Sequence, residues 1–148
     1  MFGLFRKKTE PRAAKAEWLV SQGQMNGKPI FVRRNQSAAS LVGHPSYRFR
    51  VGVAVSLLKP RADGLPANAE MEVLNLIEDK LCSALESSEH SLHVLAITTQ
   101  SMREFVFYTR SPDAAAQAIE SVRASVQTHE LQSYVEEDPQ WEVYAQFA

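Results

Sequence analysis

A chain of 148 residues, 45% of them hydrophobic, is long enough to bury one sizeable core, and its apolar residues are spread too evenly to divide it. A formal net charge of -1 gives no overall basic excess for holding nucleic acid, and no run approaches the ~20 apolar residues that span a bilayer. The single cysteine, Cys82, excludes an internal disulfide and sits in an apolar helical pattern, which points to a reducing cytoplasm.

The small net charge hides an asymmetry. Arg6, Lys7, Lys8, Arg12 and Lys15 face only Glu10 near the start, whereas every Lys, Arg, Asp or Glu from Glu130 onward is acidic. Residues 1–16 therefore read as a flexible basic tail and residues 17–148 as a single domain. A solvated tail is a plainer reading than one that touches nucleic acid or anionic lipid. Its apolar start precedes the basic residues, the reverse of a secretory signal.

Glu17 to Gln22 and Pro29 to Arg34 read as two strands joined across Asn26-Gly27, residues that tolerate positive φ and so favour a hairpin. The polar stretch from Asn35 to Pro45 reads as a loop. From Tyr47 the chain alternates, placing Tyr47, Phe49, Val51, Val53, Val55 and Leu57 on one face of a strand. A turn-rich segment through Asp63-Gly64-Leu65-Pro66 leads to Asn68, a candidate N-cap. Val73, Leu74, Ile77, Leu81, Ala84 and Leu85 then mark one buried helical stripe, with Glu78, Asp79 and Lys80 turned away.

Leu92 to Thr99 is apolar on both faces, as in a central strand, and Gln100-Ser101 turns it into a second strand from Met102 to Thr109. Ser111-Pro112-Asp113 supplies a cap, a first-turn proline and a first-turn acid for a helix striped by Ala115, Ile119, Val122 and Val126. Leu131 to Val135 closes the sheet. Asp138-Pro139 reads as the start of a short helix carrying Trp141 and Tyr144 on one side.

The order from Tyr47 is strand, helix, strand, strand, helix, strand. It implies an α+β, ferredoxin-like βαββαβ two-layer sandwich with an N-terminal β-hairpin and a short C-terminal aromatic segment. The strand from Tyr47 is expected between those beginning near Leu92 and Leu131, with both helices on one face. The other face needs a cover, from the hairpin, the C-terminal segment or a second subunit, so the chain is a monomer or a homodimer.

Trp18 with Gly27-Lys28-Pro29, Asp63-Gly64-Leu65-Pro66, Thr98-Thr99 to Arg103-Glu104-Phe105-Val106-Phe107-Tyr108, and Glu137-Asp138-Pro139-Gln140-Trp141-Glu142-Val143-Tyr144 follow one another in a distinctive order. In that order the chain resembles, from about Trp18 to Tyr144, a mostly bacterial family catalogued as domain of unknown function six-nine-five. That family often has glycine in the turn before the Arg-Glu pair, where this chain has Gln100-Ser101-Met102. The resemblance brings no established activity. In architecture it is similar to regulator B of ribonuclease E activity, an inhibitor that acts by binding an enzyme.

Enzyme signatures are absent: there is no Gly-rich phosphate cradle, no Gly-x-Ser-x-Gly and no His-Glu-x-x-His, so no cofactor is expected. His90 and His93 point to opposite faces of a strand, which argues against a shared metal. Arg103, Glu104 and Tyr108 carry acid–base groups, but alternation sets Arg103 opposite the other two, leaving a cross-strand charge pair and a packed ring as the default. Tyr47, Phe49, Phe105, Phe107 and Tyr108 beside arginines invite comparison with RNA-binding plaits, against which stand an acidic body and a missing RNA-binding motif.

The leading function is a small non-catalytic cytoplasmic protein that binds or regulates through protein–protein contacts. The alternatives are a small enzyme working in an aromatic cleft with Arg103, Glu104 and Tyr108, and an RNA-binding module. The candidate surface comprises Trp18, Arg103, Glu104, Phe107, Tyr108, Asp138, Trp141 and Tyr144, with Trp18 expected near Trp141.

Overall fold

A computed structural model describes residues 16–87 and 89–147. The expected basic tail, apart from Ala16, lies outside the described residues. Six strands form one antiparallel sheet: β1 (Trp18–Met25), β2 (Lys28–Asn35), β3 (Phe49–Ser56), β4 (Ser91–Thr99), β5 (Met102–Thr109) and β6 (Leu131–Glu137), in the order β1-β2-β4-β5-β3-β6. The helices are α1 (Asn68–Glu86), α2 (Pro112–Ser125) and the short α3 (Glu142–Gln146).

The local turn signals act as their residue types dictate. Asn26 and Gly27 adopt φ of 54° and 76°, the two left-handed positions that a two-residue hairpin turn needs. Gln100 and Ser101 do the same without glycine, at 51° and 67°. Ser101 N also donates to Gly64 O, so the Asp63-Gly64 loop docks on this turn. Ser111 caps α2 by accepting from Ala114 N, with Pro112 opening the helix.

Strand β3 does not sit beside β4 as expected; it lies between β5 and β6. The crossover through α1 carries the chain from β3 past one strand position to β4. The tight Gln100-Ser101 turn then returns β5 into that gap, and β2 pairs with the free flank of β4. The hairpin therefore widens the sheet instead of folding over it.

Both long helices pack on one face. Val51, Val53, Val55, Phe105 and Phe107 meet Leu74, Ile77, Leu81, Leu85, Ile119 and Val122 there. The opposite face carries Ile30, Val32, Val94, Leu95, Val106 and Tyr108, covered by Ala38, Leu41, Trp141 and Tyr144. The cover comes from two segments. Gln36–Leu41 is a 3-10 helix, not a loop, because Ala38 and Leu41, three apart, face the sheet together. The C-terminal segment supplies the rest.

Three further details differ from expectation. Tyr47 precedes β3 and its ring belongs to the second core, edge-on to Trp141 at 6.5 Å. Asn68 lies inside α1, whose cap position is Ala67 with no side-chain bond. Pro139 does not open the last helix; Trp141, with φ of 58°, precedes α3.

Gly52 explains how β6 attaches. A Cβ there would lie 2.2 Å from the Tyr134 ring, which covers the glycine across the β3–β6 pair. Tyr134 also donates to Glu104, so the ring bridges β5 to β6 over β3. Burial, then that carboxylate, push its phenol up to about 12, against Arg50. Gly52→Ala is expected to displace the ring and lower stability by about 1–3 kcal/mol in a urea titration, whereas an unchanged midpoint would mean that Tyr134 moves aside freely.

Candidate functional site

A groove runs between α1 and the β1–β2 hairpin. Two cavities make it up, of about 300 Å³ and about 540 Å³, and Arg33 and Met71 line both. The hairpin side is set by strand alternation: Phe31 and Arg33 face the groove while Ile30 and Val32 face the second core. On β4 the alternation is broken by a bulge between His93 and Leu95. Val94 and Leu95 both enter the second core, which leaves His93 and Ala96 facing α1. The bulge's backbone is satisfied locally, with His93 N donating to Glu86 Oε2 at 2.9 Å and His93 O accepting from Asn35 Nδ2 at 3.1 Å.

Arg33 holds the middle. Its Nη1 donates to both Glu78 oxygens at 3.0 and 2.9 Å, and its guanidinium lies 4.7 Å from the Trp18 ring centre. Glu78, expected to face away, is thereby buried beside the α1 stripe. Trp18 rests on His93 at 4.9 Å, and His93 stacks on Phe107 at 4.6 Å. Trp18 is thus on the helix side of the sheet, not near Trp141.

Cys82 and His93 touch, with Sγ 3.3 Å from Nδ1, while Nε2 lies 3.0 Å from Leu95 O and so carries the proton. The contact looks like a nucleophile and its base, but the electrostatics oppose that use. Burial, then Glu86, Glu78 and Asp79, push the thiol up. Burial and Arg33 push His93 down to about 3, against the bond to Leu95. Both groups stay neutral, where a catalytic pair needs an accessible thiolate.

Arg103 forms the inner wall of the smaller cavity and is 5% exposed. Its Nε donates to Thr98 Oγ1 at 2.8 Å, Nη1 lies 3.4 Å from Asn75 Oδ1, and Nη2 lies 3.0 Å from the sulfur of Met71. Burial pulls its pKa below the ordinary range, and the field of Glu78 opposes that. It forms no ion pair with a described residue.

The remaining sequence candidates gather on the opposite face. Tyr108 OH donates to Asp138 Oδ2 at 2.8 Å, and Trp141 lies flat on the Tyr108 ring at 4.1 Å. Trp141 Nε1 donates to Tyr47 O at 2.8 Å and Tyr144 OH to Asn35 O at 2.7 Å. Glu104 shares this face through its bond with Tyr134. Tyr108, Trp141 and Tyr144 are buried and tie the C-terminal segment to the sheet. The sheet therefore separates Trp18, Arg103 and Phe107 from Glu104, Tyr108, Asp138, Trp141 and Tyr144.

Arg33, Glu78, Cys82, His93 and Met71 are absent from the candidate surface read from the sequence, where Glu78 is turned away and His93 is weighed only beside His90 as a metal ligand. One signal was present, a histidine inside an otherwise apolar strand; the pairing of Arg33 with Glu78, 45 residues away, has no local signature.

A family model described as a family of unknown function (DUF695) matches residues 16–148, which take in every element above. The chain belongs to that family. No curated protein and no solved structure matches it. The architectural likeness to regulator B of ribonuclease E activity draws no support from these comparisons. Among the described residues no helix is long and apolar enough to cross a membrane, and no group of three His, Cys, Asp or Glu side chains could hold a metal ion.

Proposed function

We propose that this is a small binding protein without chemistry of its own, and that the groove between α1 and the β1–β2 hairpin receives its ligand. The observation that carries this is Arg103, a guanidinium buried at the inner wall of a cavity without a carboxylate partner. Burying an unpaired charge is costly, and a ligand that supplies the counter-charge returns that energy. Binding is favoured over turnover because Arg103 stands across the sheet from Glu104 and Tyr108, and because Cys82 is not activated. RNA binding of the plait type is disfavoured, since Phe105, Phe107 and Tyr108 are fully buried and offer bases no stacking surface.

The order β4-β5-β3-β6, with α1 and α2 on one face, supports a ferredoxin-like reading of the inner four strands, extended by the hairpin. With both sheet faces covered from within one chain, a monomer in a reducing cytoplasm is the expected form. A thermal-shift screen of small metabolites tests the groove. Stabilising compounds should lose their effect on Val20→Asp, a change at an exposed position on the groove's rim. Compounds that stabilise both proteins alike, or that are consumed, would overturn the reading.

A second reading, capture of a protein segment along the edge strand β1, rests on the exposure of Leu19 and Val20 there. Gln22→Pro, at an exposed position whose N–H points away from β2, would block such strand addition while leaving the cavities in place.

A further inference from the structure

We propose that the smaller cavity is a site for a monocarboxylate with an apolar body, of the size of a medium-chain fatty acid, whose carboxylate sits on Arg103. The proposal rests on the groove being the ligand-receiving surface. The cavity of about 300 Å³ is lined by Arg33, Arg61 and Arg103 and by no aspartate or glutamate. Arg33 is neutralised by Glu78 and Arg61 by Asp63, each at hydrogen-bond distance. Arg103 alone of the three lacks a counter-ion.

The guanidinium's own bonds show what it still accepts. Nε is committed to Thr98, but the N–H groups on Nη1 and Nη2 meet only a long contact to Asn75 and a thioether sulfur, a weak acceptor. A carboxylate satisfies two such N–H groups at once and brings the missing charge. Beside the arginines the wall is mostly apolar, Val20, Phe31, Leu65, Pro66, Met71 and Ala96, with Asn68 and Thr98 as its polar members, a surface that suits hydrocarbon. A neutral apolar ligand would leave the buried cation uncompensated, and a small polar anion would leave the apolar wall wet. Only the combined molecule satisfies both halves of the cavity.

The test is calorimetric titration of the full chain with sodium octanoate, 1-octanol, sodium butyrate and a tripeptide ending in a free leucine carboxylate. Octanoate is expected to bind at least about tenfold tighter than octanol, from the charge, and than butyrate, from roughly fourfold per buried methylene. Arg103→Met replaces the buried cation by an apolar chain, a type of change that folded proteins tolerate, and should weaken octanoate by about tenfold or more. Val20→Asp, at a position 59% exposed and therefore harmless to folding, should weaken it as well, and Val135→Asp on the far edge should not.

Failure of folded wild-type protein to bind octanoate would overturn the proposal, as would octanoate binding indifferent to Arg103→Met and Val20→Asp. Preference for the peptide over octanoate would do the same. Octanol binding as tightly as octanoate, yet lost in Val20→Asp, would overturn the carboxylate site while leaving the groove as the receiving surface.

Discussion

Trp141→Ala is expected to lower the unfolding free energy by about 3–5 kcal/mol, the range for emptying a buried aromatic site. The ring is fully buried, stacked on Tyr108 within 5° of parallel, and edge-on to Tyr144 at 5.4 Å. Its indole N–H donates to the Tyr47 carbonyl, a bond that the variant removes. A backbone term separates alanine from glycine. Residue 141 has φ of 58°, a left-handed conformation that costs an L residue about 1–2 kcal/mol, so Trp141→Gly should be no less stable than Trp141→Ala despite glycine's greater unfolded-state entropy. Urea unfolding of both variants beside wild type checks this. A loss below about 1 kcal/mol, accompanied by loss of an association that the wild type makes, would show the ring to be an interface anchor instead.

Asp138→Ala is expected to match that loss, about 3–5 kcal/mol, because one carboxylate satisfies four donors of the second face. It accepts from Tyr108 OH at 2.8 Å and from Arg50 Nη1 at 3.0 Å, and it caps α3 by accepting from Glu142 N at 2.8 Å and Val143 N at 3.4 Å. Without it the buried Tyr108 phenol and Arg50 Nη1 lose that acceptor, and α3 loses the side-chain cap on Glu142 N and Val143 N.

The same carboxylate makes stability depend on pH. Burial raises its pKa, but the bonds from Glu142 N, Tyr108, Arg50 and Val143 N outweigh burial and hold it below the ordinary aspartate value. Glu70 behaves alike: burial is outweighed by Leu58 N, His129 and Lys59 N. A folded pKa below the unfolded one contributes stability that is present above about pH 4 and lost as pH falls through the folded value. Wild-type stability should therefore decline below about pH 4, and in Asp138→Asn the slope should be shallower by up to about one proton. Equal slopes in the two proteins would remove Asp138 from the acid limb.

What the sequence could specify by itself is what neighbouring residues decide. Asn26-Gly27 makes a hairpin because those residues accept positive φ. Ser111-Pro112-Asp113 starts a helix because cap, fixed φ and charge act within one turn. The alternation of Val51, Val53 and Val55 puts all three in one core, because the strand period is two. The same periods gave six strands and two long helices their approximate places, and the family landmarks fell along them.

Tertiary structure decided which of those surfaces meet. The bulge at His93 turns one residue of β4 out of phase, and no local rule marks it. Glu78 flanks the α1 stripe and would be solvated on an isolated helix; it is buried because β2, two strands beyond β5, brings Arg33 opposite it. Trp18 and Trp141 look like partners in a list of aromatics, yet lie on opposite faces of the sheet. The groove and the buried charge of Arg103 exist only because strand order and crossover bring together residues far apart in the chain, and such long-range pairing is fixed by the packing of whole elements, which no window of sequence contains.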